Sequence, residues 1–172
     1  MDCAYYEKKI NDIITKCPIE AGIEILAYNL LDECIDAKKY SLVDINRIRK
    51  NQDARLSTEG GIPDIAVLSP DFIWEGTTGK VHCFIEIKAA GIALSDKSQI
   101  VNQMKSVSNF IYTNGIVWKY YRDQNLKWEI RLGTRLGTRL GTEEITHSYK
   151  TIEIDKDKFE QLKANIKSIK WE

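Results

Sequence analysis

Two short apolar runs constrain this chain most: Gly61-Ile62-Pro63-Asp64-Ile65-Ala66-Val67-Leu68 and Phe84-Ile85-Glu86-Ile87-Lys88, whose Glu86 lies twenty-two residues after Asp64. Both are rich in Ile and Val and bounded by turn residues, the composition of short buried strands. Side chains alternate across a strand, so Val81, Cys83, Ile85, Ile87 and Ala89 share one face and Glu86 and Lys88 the other. The first face is wholly apolar and must be buried. Paired as an antiparallel hairpin, the two strands can send Asp64 the same way as Glu86. Two acids and an ammonium then converge at the edge of a hydrophobic sheet. That arrangement is costly for the carboxylates unless a hard cation sits between them.

Pro63-Asp64 followed by Glu86-Ile87-Lys88 resembles the PD-(D/E)xK nuclease superfamily. Gly60-Gly61 precedes the first half as a turn. Downstream, Tyr112-Thr113-Asn114-Gly115-Ile116-Val117-Trp118-Lys119-Tyr120-Tyr121 is similar to the strand that follows the catalytic core in the N-terminal nuclease domains of type I restriction subunits. The resemblance covers about residues 19–122. It implies an α/β fold, a restriction-endonuclease-like mixed β-sheet flanked by helices with a C-terminal helix. It also implies metal-dependent phosphodiester hydrolysis of DNA by an endonuclease serving restriction, defence or DNA processing. Asp64 and Glu86 would hold Mg²⁺, with Mn²⁺ able to substitute, helped by the backbone carbonyl of Ile87 and by waters. Lys88, kept protonated between two acids, would give electrostatic help rather than act as a general base. The first core helix of the superfamily commonly carries a glutamate near the metal, a role for which Glu20 matches better than Glu24. Relatives place a glutamine helix beside the ExK strand, which makes Gln99 and Gln103, at i and i+4, candidates for contacting DNA or supporting the site. Paired glutamines are otherwise ordinary surface residues.

Other readings of the same residues differ in what they predict. Asp64, Glu86 and Lys88 could be a cross-strand ion pair on a half-exposed sheet, contributing about 0.2–1 kcal/mol. A nuclease fold could also bind DNA, or assemble as a subunit of a restriction or defence complex, without cutting. Such proteins usually lose an acid or the lysine, and this chain retains all three.

At 172 residues the chain fits one domain, 1–172, with a core that needs no staples. No apolar run approaches a bilayer span, and Met1 to Lys9 lack a basic region followed by an apolar one, so a cytoplasmic protein without a membrane partner is expected. Cys3, Cys17, Cys34 and Cys83 show no CxxC spacing, and neither His82 nor His147 sits in a motif, which leaves zinc and disulfide frameworks unsupported. A formal net charge of zero argues against strong nonspecific DNA binding. Arg47, Arg49, Lys50 and Arg55 still form a local basic run, either solvated or contacting phosphates, with Arg55 nearest the PD strand.

Along the chain, periodicity predicts helices over 4–16, 19–37 and 97–110, the last with Ile100, Met104, Val107 and Phe110 inward. Residues 41–59 carry few cues. Strand–turn–strand is expected around Asn114-Gly115, further strands at 127–131 and 146–154, and a last helix after an Asp155 N-cap. Residues 131–142 are three copies of Arg-Leu-Gly-Thr. A period of four is too short for a solenoid and reads as a tandem duplication in a surface loop or hairpin without core. The competing reading is an arm bringing Arg131, Arg135 and Arg139 to phosphates. One site cuts one strand, so a double-strand break calls for a homodimer or a partner subunit. The C-terminal helix and a Trp118-Tyr120-Tyr121 surface are the contacts the sequence offers.

Overall fold

The computed structural model describes residues 1–49, 52–137 and 150–171. Two helices open the chain, α1 (Cys3–Lys16) and α2 (Glu20–Cys34), followed by an edge strand β1 (Ser41–Asp44) and one 3₁₀ turn at Ala54–Leu56. The hairpin β2 (Ile65–Leu68) and β3 (Val81–Ile87) leads to a short helix α3 (Ser98–Met104). Strands β4 (Asn109–Thr113), β5 (Val117–Arg122) and β6 (Asn125–Arg131) come next, then the pair β7 (Gly133–Gly137) and β8 (Lys150–Ile154), and finally α4 (Lys156–Ser168). The larger sheet has the order β1-β2-β3-β4-β5-β6 and is antiparallel except for β3 and β4. The fold is mixed α/β: a six-stranded sheet with helices on both faces and a helix at its C-terminal end.

Local chemistry explains the main boundaries. Asp2 caps α1 by accepting from Tyr5 N, and Asp155 caps α4 by accepting from Asp157 and Lys158 N–H. Pro18 separates α1 from α2. The β5–β6 turn runs through Asp123 and Gln124, both at positive φ, a short-hairpin geometry that Asp tolerates.

Each face of the sheet buries its own core. On one, α1, α2 and α4 press Tyr6, Leu30 and Phe159 onto Val67, Ile85, Ile87, Ile111 and Trp118. On the other, α3 and the segment before β2 bring Ile100, Met104, Ile45 and Leu56 onto Ala66, Phe84, Phe110 and Tyr112. The predicted alternation holds for Cys83, Ile85 and Ile87, which all join the first core. Val81 instead packs against the second, because the register slips between Val67 and Leu68 so that Leu68 pairs with Val81.

Three expectations change. The helix predicted over 97–110 ends at Met104, and Phe110 lies in β4, where parallel pairing with β3 outweighs a helical period. Trp118, Tyr120 and Tyr121 are buried, and the apolar face of α4 is spent on the first core. Neither surface therefore offers uncovered apolar area to a second copy. The repeat is not free of core: Arg131 ends β6, Leu132 is fully buried, and Gly133 opens β7, where a side chain would strike the Glu153 carbonyl. Its third copy, 139–142, lies outside the described residues, as does Lys50.

Candidate active site

The β2–β3 hairpin delivers the charged groups. Asp64 stands just before β2, its N–H bonded to Ile85 O at 3.1 Å, and its Oδ2 accepts from Ile87 N–H of β3 at 2.6 Å. Glu86, between Ile85 and Ile87 of the first core, points to the opposite side and is almost wholly buried. Lys88 continues past the end of β3, its N–H bonded to Thr113 O, and its Nζ lies 2.6 Å from Glu86 Oε1 and 3.9 Å from Glu20 Oε2.

Helix α2 enters from the other side. Carboxylate oxygens of Glu20, Glu24 and Asp64 all lie within 4.8 Å of one another, so both helix glutamates reach the site and the choice between them falls away. Glu24 also accepts from Asn46 Nδ2 at 2.8 Å, a partner that the sparse cues of 41–59 did not reveal. A cavity of about 260 Å³ opens here, bordered by Glu24, Asp44 and Asp64 and by the apolar walls of Tyr28 and Ile65.

Crowded acids in a poorly solvated place resist ionisation. Burial, then the charge of Glu86, pushes the Asp64 carboxyl up to about 8, although the Ile87 N–H and Lys88 pull the other way. Glu24 is raised as well, by burial and then by Glu20. For Lys88, burial works to lower the pKa, but the hydrogen bond and charge of Glu86, with Glu20 and Asp64, outweigh it and the ammonium titrates above its ordinary range. Lys88 is thus a fixed cation at neutral pH.

Of the two helix glutamines Gln103 faces inward and Gln99 is exposed. Gln103 is fully buried and donates to Glu86 Oε2 at 2.9 Å, and Gln99 donates to Glu86 Oε1 at 3.2 Å. Gln103 therefore holds a carboxylate rather than DNA, while its own Oε1 is buried without a hydrogen-bond partner. With Lys88, these donors occupy both oxygens of Glu86. The carboxylate oxygens that group within 4.8 Å of one another are those of Glu20, Glu24 and Asp64, and Glu86 lies outside that group. Ile87 contributes its N–H to Asp64 in this arrangement.

Arg55 is committed elsewhere. Its Nε and Nη2 bind both oxygens of Asp53, its Nη1 and Nη2 donate to the carbonyls of Thr78 and Ile73, and the guanidinium stacks 3.9 Å from the Phe72 ring centroid. It ties down the connection between β2 and β3 instead of offering a free cation to phosphate. Exposed Arg47 and Arg49 enter no ion pair among the described residues.

A scan against protein-family models finds no match, and a search of curated proteins finds none either. Among solved structures, the chain is similar to one in the cryo-EM structure of the DrdV–DNA complex, with a TM-score of 0.51 and 12% identity over 73% of this chain and 82% of that one. At that identity the likeness is one of fold. The described residues form a six-stranded sheet with a charged, partly buried cluster at the open end of its β2–β3 hairpin, on the fold of that neighbour.

Proposed function

We propose that this chain is a metal-dependent deoxyribonuclease of the PD-(D/E)xK type, an endonuclease acting in restriction, defence or DNA processing. The observation that carries the reading is the Asp64 carboxyl: nearly buried, raised to about 8 and grouped with two further carboxylates. An isolated structural ion pair gains nothing from such crowding, whereas a bound cation would offset it. The neighbour that shares the fold was solved as a complex with DNA, which supports a DNA-related role.

An all-oxygen donor set suits a hard cation such as Mg²⁺, or Mn²⁺ in its place, and disfavours zinc. Glu20, Glu24 and Asp64 would hold it; Glu86 stands beside them, held by other donors. When bound, such an ion stabilises charge on a scissile phosphate and lowers the pKa of an attacking water. The chain's own residues do the rest. Gln99 and Gln103 fix the rotamer of Glu86, which in turn anchors the Lys88 ammonium beside the phosphate's place. Lys88 faces the negative charge that develops there and, staying protonated, donates hydrogen bonds rather than removing a proton.

The test is cleavage of plasmid, linear duplex and single-stranded DNA with Mg²⁺, Mn²⁺, Ca²⁺ or EDTA, for the native protein and for Asp64→Asn, Glu86→Gln and Lys88→Ala. Cleavage that persists undiminished in any of the three variants would defeat the assignment. A second reading, a nuclease fold that binds DNA or assembles in a complex without cutting, is favoured by one observation: Glu86 has both oxygens taken by Lys88, Gln99 and Gln103. Binding of DNA with no hydrolysis under any cation would select it.

A further inference from the structure

Register carries the site sideways across the sheet. Glu86 on β3 is opposite Tyr112 on β4, Tyr112 is opposite Lys119 on β5, and Lys119 is opposite Glu129 on β6. Cross-strand partners project to the same side, so Lys119 shares a face with Glu86, two strands away. At the usual strand spacing that is roughly 10 Å, about three nucleotide rises along a duplex axis.

Beyond Tyr112 this face opens into a cavity of about 470 Å³, walled by the loop 90–94 on one side and by Lys119, Glu129 and Arg131 on the other. The loop begins two residues after Lys88 and is fixed by Asn114, whose Nδ2 donates to Ile92 O at 2.8 Å. Within it Ile92 N–H is bonded to Ala89 O, but the N–H groups of Gly91, Ala93 and Leu94 donate to no acceptor among the described residues. Gly91 has no side chain to keep a ligand from that backbone. Across the cavity, Arg131 is exposed and enters no ion pair among the described residues, and Lys119 is only loosely paired with Glu129 at 3.7 Å.

Two cations, one carboxylate and three open amides make an anion-accepting surface. The other flank of the site is the reverse, since Glu24, Asp44 and Asp64 border the cavity there. A polyanion leaving the site is repelled on the α2 side and attracted on the β5–β6 side. We propose that the cavity between the 90–94 loop and Arg131 is a backbone-phosphate subsite, holding the strand to one side of the bond to be cut. The proposal rests on the nuclease reading for the identity of the strand. The first Arg-Leu-Gly-Thr copy thereby supplies two parts: Leu132 to the core and Arg131 to the ligand.

The test is binding of labelled duplex and single-stranded oligonucleotides across a salt series, with Ca²⁺ and with EDTA, by the native protein, Arg131→Gln, Lys119→Gln and Asp64→Asn. Each loss of a phosphate contact should weaken duplex binding equally for unrelated sequences and reduce the slope of log K against log salt by about 1, while melting temperature and Mn²⁺ affinity stay unchanged. Unchanged slope and affinity in both Arg131→Gln and Lys119→Gln overturn the subsite, and if the native protein still cleaves, the nuclease reading survives alone. The expected slope changes in a protein that never cleaves uphold the subsite and remove the hydrolysis. A native protein that binds no oligonucleotide overturns both.

Discussion

Asp53 and Asp64 are the same residue type at similar exposure, 5% and 9%, yet they titrate in opposite directions. Asp53 receives four donations: from Nε and Nη2 of Arg55, from the Arg55 N–H and from the Glu75 N–H. The Arg55 hydrogen bond outweighs the effect of burial and holds its carboxyl below the usual range. Asp64 receives one N–H, from Ile87, and faces Glu86, so burial wins and the carboxyl rises to about 8. A buried acid is therefore not informative by itself; the count of donors around it is. Asp53 is a completed structural joint, and Asp64 is an acid with a single donor set beside other acids.

The largest expected effect separates the two by activity. Asp64→Asn should reduce cation-dependent cleavage by about 10³-fold, the loss of several kcal/mol of charge stabilisation, without lowering the melting temperature. Asp53→Asn should leave the cleavage rate of the folded protein intact. Equal losses of activity in the two variants would erase the contrast.

Gln103→Leu should reduce cleavage by about 10- to 100-fold, the range for removing an outer support of a metal site. Its stability should change by no more than about 1 kcal/mol, since the lost bond to Glu86 is offset by removing an unpaired buried oxygen. A large stability loss at unchanged activity would make Gln103 a packing residue only.

Stability comes next. Asp53→Ala should lower the melting temperature by several degrees, because the Arg55 cation and the Glu75 amide lose their acceptor together. Differential scanning fluorimetry with and without Mg²⁺ should show that this loss does not depend on the cation.

The two acids also separate in pH dependence, with opposite signs. Asp64 binds its proton more tightly folded than unfolded, so its contribution is fully present below about 4 and is lost as pH rises towards about 8. Asp53, with a lowered pKa, contributes above its ordinary value and loses that contribution as pH falls through its folded value. In metal-free urea titrations, Asp64→Asn should flatten the neutral limb and Asp53→Asn the acid limb. Saturating Mg²⁺ should flatten the neutral limb of the native protein too.

Much of this was legible in the residues because a period of two in a strand admits few readings. The Ile85-Glu86-Ile87 alternation separates the residues that join the wholly apolar core from the acid on the opposite face, and the hairpin brings Asp64 to Ile87. What escaped was set by partners distant in sequence. The 98–104 helix sits with Gln103 inward against the turn before β2, where Gly60 leaves room for its backbone, and no helical period reports that. Arg55 looked available because charge runs resemble each other until Asp53 is seen to meet both edges of its guanidinium. Glu24 seemed a reserve for Glu20, yet one turn of helix is short enough for both to reach one point.

Gly60 has a wider consequence. A β-carbon there would collide with the Gln99 carbonyl and crowd Gln103. The turn leading to Asp64 and the helix holding Glu86 thus meet backbone to backbone, without an adjustable side chain between them. The donors that hold Glu86 are thereby seated against the turn before Asp64, like the gap of a fixed bearing. Gly60→Ala, which touches neither acid, would push the helix that holds Glu86 away from the turn that leads to Asp64.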